Sequence, residues 1–158
     1  MYWVIKLKRR ELFTMPLMII ILSVFIYLVG SQVTHPFLKI MFPQNDNIFE
    51  LFKIYFSAFL IIYLLEFFIE NDINNYLFSR VVSLYLIMIV SGLLYFLLPF
   101  IGHLKLLITM VISVVIAQSS GYKLQKISIK NSDILALIMQ SLLAIFIAYI
   151  TYYPLNVF

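Results

Sequence analysis

The chain has 158 residues, of which 64% are hydrophobic and only 11% charged, and its formal net charge is +4. A water-soluble domain is about half apolar and about a quarter charged, so this composition excludes one, and a mean hydropathy of +1.06 leaves the lipid bilayer as the solvent that fits. The lack of cysteine excludes disulfides, thiolate metal sites and cysteine nucleophiles, and in a membrane chain the position of the basic residues matters more than their sum.

A spanning helix needs about 20 mostly apolar residues. Five such spans with short loops use nearly all of the chain, so the expected fold is all-α. It is a polytopic membrane helix bundle, a single transmembrane domain over 1–158 with no segment left for a soluble domain. The first element follows a basic cluster of Lys6, Lys8, Arg9 and Arg10. The apolar run from Leu12 to Val33 is too long for the core of a signal peptide and lacks a small-x-small cleavage site, so it reads as helix 1 (12–33), with Pro16 in its first turns. A polar loop from Gly30 to Asn47 carries His35, Pro36, Lys39 and Pro43.

Helix 2 is expected over 48–69. Its charge-free interior runs only from Ile54 to Leu65, so Lys53 and Glu66 must reach the interfaces or face protein. A second loop, Glu70 to Asn75, leads to helix 3 (76–100), with Arg80 near its start and Pro99 and Gly102 near its end. Helix 4 (104–122) lies between Lys105 and Lys123. Asn131, Ser132 and Asp133 are the N-cap candidates for helix 5 (134–153), which Pro154 stops.

Sidedness follows from the short loops. With the N-terminus inside, the cytoplasmic side holds eight basic residues: Lys6, Lys8, Arg9, Arg10, Arg80, Lys123, Lys126 and Lys130. The outside holds three, Lys39, Lys53 and Lys105. That bias sets the N-terminus inside and, with five spans, the C-terminus outside. Trp3, Tyr76, Tyr122, Tyr152 and Tyr153 fall near the span ends, as an aromatic belt does.

The chemistry concentrates before helix 2, in Pro43-Gln44-Asn45-Asp46-Asn47-Ile48-Phe49-Glu50-Leu51-Phe52-Lys53. The structural reading is a capping box, with Asn47 as N-cap and Glu50 reaching back to its amide, and Glu50 and Lys53 pairing at i,i+3. The functional reading is a small polar pocket open to the outside, formed by Glu50 and Lys53 facing the bundle, Asn45 folded over them, and His35 or Tyr153 close by. Such a pocket suits a lipid headgroup or other small polar ligand.

A secondary polar site is expected at the opposite end from Glu66, Arg80 and Gln118. Glu66 lies 16 positions after Glu50, about 24 Å along a helix, so the two carboxylates cannot share a site. His35 and His103 lie in loops without metal-ligand spacing, and no metal or cofactor is expected. Gln118, Ser119, Ser120 and Gly121 read as a packing patch. Gln140 and Ser141 are expected to bond a neighbouring helix, whereas Ser23, Ser57, Ser83, Ser91 and Ser113 are expected to bond back to their own.

The 43–53 segment also resembles P-V-N-E-S-x-W-E-H-L-K, the hallmark of a small bacterial integral-membrane family catalogued as a domain of unknown function. Pro43, Asn45, Asp46, Asn47, Phe49, Glu50 and Lys53 stand at the matching places. Gly30, Ser31, His35 and Phe37, and then Tyr153, Pro154, Leu155 and Phe158, are similar to its other motifs. Phe49 stands where the family has Trp, and Leu51 where it has His. The resemblance implies a multi-pass protein of the cell (cytoplasmic) membrane, with no known activity.

No P-loop, G-x-S-x-G or H-E-x-x-H motif is present. The leading expectation is therefore a non-catalytic binding or accessory subunit. Its partners would be the lipid bilayer and a second copy or another membrane subunit, not nucleic acid. The alternatives are an enzyme acting on a lipid or envelope precursor at the outer leaflet, and a small oligomeric transporter.

Overall fold

A computed structural model describes residues 2–30, 32–36, 38–44, 47–69, 76–99, 102–124, 129 and 131–153, with the side chains of 2–13 and 66–69 outside the description. These residues form five α-helices and no strand: α1 (Tyr2–Gly30), α2 (Ile48–Ile69), α3 (Tyr76–Leu97), α4 (His103–Leu124) and α5 (Ser132–Tyr152), with one 3₁₀ turn at Leu38–Ile40. The all-α expectation is met. Helices α2 to α5 are each long and apolar enough to cross a membrane, and the apolar stretch of α1 among the described residues is Thr14–Gly30.

Several boundaries differ from expectation for identifiable reasons. Helix α1 begins at Tyr2 rather than 12, because residues 2–15 contain no Gly or Pro to interrupt a helix. Pro16 therefore lies well inside α1 and not in its first turns, and it removes one backbone hydrogen bond there. Helix α3 ends at Leu97, since Pro99 disfavours helical geometry at the residue before it. Gly102, with φ of 70°, turns the chain into α4. Asn131 is the N-cap residue of α5 as expected, its carbonyl accepting the Leu135 amide N–H at 3.2 Å, but it lies in a left-handed turn with φ of 58° and its side chain makes no capping hydrogen bond.

Helix α2 is the centre of the bundle. Leu51, Ile54, Tyr55, Ala58, Phe59 and Ile62 are all buried, together with Leu84 and Ile87 of α3, Met110 and Val114 of α4, and Ile147 of α5. Helix α1 packs along α2 and α4, while α5 packs along α3 and the 3₁₀ turn. The Tyr85 hydroxyl donates to Met139 O at 2.8 Å. Tyr85 and Met139 lie a little before the midpoints of α3 and α5, so the bond joins the two helices near their middles.

The closest helix pair is α3 with α4, joined along a seam of small side chains: Ser79, Ser83 and Ser91 against Thr109, Ser113, Ala117 and Gly121, all buried. Small residues let helices approach closely where lipid supplies no hydrophobic drive for association. At Gly121 the approach is so tight that a Cβ would sit 1.8 Å from Ser83 Oγ and 3.2 Å from Ser79 O.

The segment between α1 and α2 is not the simple polar loop expected. Ser57, nine residues into α2, donates from its hydroxyl to Met41 O at 2.6 Å. At 1.5 Å per residue that places Met41 about 13 Å below the start of α2. The chain then climbs back so that Gln44 meets Glu50. The segment is re-entrant, and its apolar Ile40 and Phe42 pack against the core. Non-helical backbone is tolerated at such depth only where protein covers it.

Candidate functional site

The entrance of α2 is built from a cap, an ion pair and a backbone clamp. Asn47 Oδ1 accepts the Glu50 amide N–H at 2.9 Å, which makes Asn47 the N-cap as expected. The other half of the capping box is replaced. Glu50 Oε2 accepts the Gln44 amide N–H at 3.0 Å, and Glu50 Oε1 accepts from Lys53 Nζ at 2.8 Å. Both carboxylate oxygens are thus engaged, and the negative charge lies at the positive end of the α2 dipole.

The pair is closed off from solvent: Lys53 is 2% exposed and Glu50 8%. Both side chains face the bundle as expected, and little of either reaches solvent. Gln44 extends the clamp, since its Nε2 lies 3.3 Å from both Gly30 O and Pro43 O. Gly30 is required there, because a Cβ would come within 2.6 Å of Pro43. The end of α1, the re-entrant segment and the first turn of α2 therefore form one latch. Burying two charges costs several kcal/mol per ion, offset only when the geometry is good and the remaining hydrogen bonds are made.

His35 is exposed, and Tyr153 is exposed and stacks on Tyr149 at 5.3 Å; neither is a hydrogen-bond partner of the Glu50–Lys53 pair. Asn45 lies outside the described residues. His103 bonds the Tyr27 hydroxyl and packs edge-on to its ring. Among the described residues no group of three His, Asp or Glu side chains could hold a metal.

At the opposite end, Arg80 Nη1 donates to Gln118 Oε1 at 2.9 Å, and its guanidinium lies 4.9 Å from the Tyr76 ring centroid. Two members of the expected secondary site thus meet; the Glu66 side chain lies outside the description. Gln118 Nε2 and the Tyr76 hydroxyl are buried without a hydrogen-bond partner among the described residues.

The serines divide as well. Ser83, Ser91 and Ser113 bond back to their own helices, but Ser57 reaches across to Met41 O and the Ser23 hydroxyl has no hydrogen-bond partner among the described residues. Ser141 is exposed and bonds Leu137 O of its own helix, so the expected link to a neighbouring helix is not made. Ser113 also meets the buried Tyr55 hydroxyl at 3.1 Å.

Gln44 is the member of the latch that sequence reasoning gave no role. Its contribution is a backbone amide and a terminal amide aimed at carbonyls, and neither leaves a spacing signature. The apolar run Leu38-Lys39-Ile40-Met41-Phe42 is the signal that could have revealed the re-entrant fold.

No family model matches the chain, and the searches of curated proteins and of solved structures likewise found no match.

Proposed function

We propose that the protein is a non-catalytic accessory subunit of a bacterial cytoplasmic membrane, with α1 as its fifth span, its N-terminus inside and its C-terminus outside. The observation that carries this reading is the latch at the entrance of α2. Among the described residues Glu50 is the carboxylate at that end, and both of its oxygens are committed to internal partners. A general acid or base must reach the proton it transfers, and this one is enclosed. Of the residues that carry the bacterial family resemblance, Gly30, Pro43, Asn47, Glu50 and Lys53 serve here to fix a re-entrant segment in the bundle. The loop charge bias supports the orientation.

The reading is tested in cells that show a phenotype when the gene is deleted. Glu50→Gln and Glu50→Asp replacements should restore that phenotype in proportion to the amount of folded protein in the membrane. A Glu50→Gln protein that is present at normal level, melts normally and yet fails to complement would overturn the reading in favour of an enzyme.

A further inference from the structure

The end of the bundle opposite the latch holds a cluster whose hydrogen bonding is incomplete. Arg80, near the start of α3, is buried and donates from Nη1 to Gln118 Oε1 of α4 at 2.9 Å, and its guanidinium lies 4.9 Å from the Tyr76 ring centroid. That bond fixes which way the Gln118 amide points. Its oxygen is taken by the guanidinium, so Nε2 is the end left over, roughly 2.2 Å from Oε1 by covalent geometry and therefore beside the same guanidinium. Gln118 is 4% exposed, and its Nε2 is buried with no hydrogen-bond partner among the described residues, as is the Tyr76 hydroxyl. A buried donor without an acceptor is costly, and such groups are few in folded proteins.

Place and charge define what is missing. Arg80 is four residues from the start of α3 and Gln118 six from the end of α4, which by helical rise puts the cluster roughly 6–9 Å inside the bundle end. Tyr76, the first residue of α3, is only partly buried, so the cluster runs from the interior to the rim. Helix α3 has no acidic residue in its first turn, and its N-terminus adds a positive field and amide donors. The framework is held tightly. Three residues beyond Gln118, Gly121 lies so close to α3 that a Cβ would sit 3.2 Å from the carbonyl of Ser79, the neighbour of Arg80. The Gln118 amide now offers only N–H donors, and the Tyr76 hydroxyl is able to donate. The adjacent guanidinium repels a cation and favours an acceptor that carries negative charge.

We propose that Arg80, Gln118 and Tyr76 form a binding site for a phosphate group entering from this end of the bundle, with Gln118 Nε2 and the Tyr76 hydroxyl donating to its oxygens. A guanidinium, a side-chain amide, a hydroxyl and a helix N-terminus together make a donor set for an oxyanion with several acceptor oxygens. Basic pockets between spanning helices hold lipid head groups in this way, and a soluble phosphate presents the same oxygens. The chain's own Glu66, whose side chain lies outside the described residues, is the rival acceptor. The inference goes beyond the accessory role and does not depend on it, since the site lies at the other end of the bundle from the latch.

The test is thermal melting of the full chain, purified free of lipid in a mild detergent, with two probes. Inorganic phosphate is titrated against chloride at equal ionic strength, and short-chain phosphatidic acid against the matching diacylglycerol. At least one phosphate probe should raise the melting temperature saturably. A response to phosphatidic acid alone identifies a lipid headgroup, and a response to inorganic phosphate a soluble source. Gln118→Glu keeps an acceptor for Arg80, and so the fold, but replaces the free donor with a negative charge; it should weaken binding at least about ten-fold. Tyr76→Phe, which removes one hydroxyl, should weaken it about five-fold. Lys123→Gln makes the same change of charge at an exposed position in the last turn of α4 and should have far less effect. The proposal is overturned if neither probe raises the melting temperature, the result expected where Glu66 or a water already fills the place. It also fails if Gln118→Glu, or Tyr76→Phe should the former not fold, binds phosphate as the parent does, or if Lys123→Gln weakens binding as much as Gln118→Glu.

Discussion

A lysine enclosed among apolar side chains is tolerable only while its carboxylate stays with it. Lys53 at 2% exposure meets Glu50 at 2.8 Å, so removing either partner strands the other. Lys53→Met or Glu50→Gln alone should lower stability by about 3–5 kcal/mol, whereas the double change Glu50→Leu with Lys53→Met should cost much less than either. Thermal melting in detergent reads this directly, and single variants that melt like the parent would refute the enclosed pair. Gly121 gives a second residue-scale expectation. Gly121→Ala drives a methyl into Ser83 Oγ and should cost about 1–3 kcal/mol. Adding Ser83→Ala removes the nearest clashing atom and should recover part of that loss in the same melt, with Ser79 O still close.

At the scale of elements, hydropathy located α2 through α5 to within a few residues, because length and apolarity are what a bilayer demands. It failed at the start of α1 for a physical reason. Lys6, Lys8, Arg9 and Arg10 end a hydrophobic run but do not break a helix, so the position where apolarity begins is not the position where the helix begins. The re-entrant segment was hidden by its composition, since His35, Pro36, Lys39 and Pro43 mask the apolar stretch that dips inward. Of the candidate site, the Glu50–Lys53 pair was legible from i,i+3 spacing and the Asn47 cap from its position. The Gln44 clamp was not, because its key donor is a backbone amide common to almost every residue type. The absence of cysteine makes the segment easy to map. Met41→Cys should resist a membrane-impermeant maleimide while His35→Cys, at an exposed position, reacts readily. Equal labelling of the two would rule out the dip.

For the whole molecule, the central helix touches its neighbours on every side while α5 stays largely exposed along its length. Tyr55 of α2 bonds Ser113 of α4, and Tyr85 of α3 bonds Met139 of α5, so polar contacts stitch the bundle between helices distant in sequence. The proposed orientation is a property of the whole chain, because it rests on the sum of short-loop charges. Reporter fusions near Lys126 should be active only in cytoplasmic formats, and fusions after Phe158 only in external ones; the reverse pattern would invert every sidedness assignment.

The latch also bears on how the chain is made. All of its bonds join residues between Gly30 and Lys53, so they need nothing that is translated later. A helical hairpin of α1 and α2 can close while α3, α4 and α5 are still unsynthesised, with Glu50 and Lys53 already neutralising one another as they leave water. Contacts between neighbouring segments form first because they close the shortest loops. The bond between Tyr27 and His103 spans 76 positions and has to wait for α4. Biogenesis is therefore divided by the fold into an early, self-sufficient step and a late assembly step. A defect in the latch strikes the nascent protein before the rest of the bundle exists to protect it.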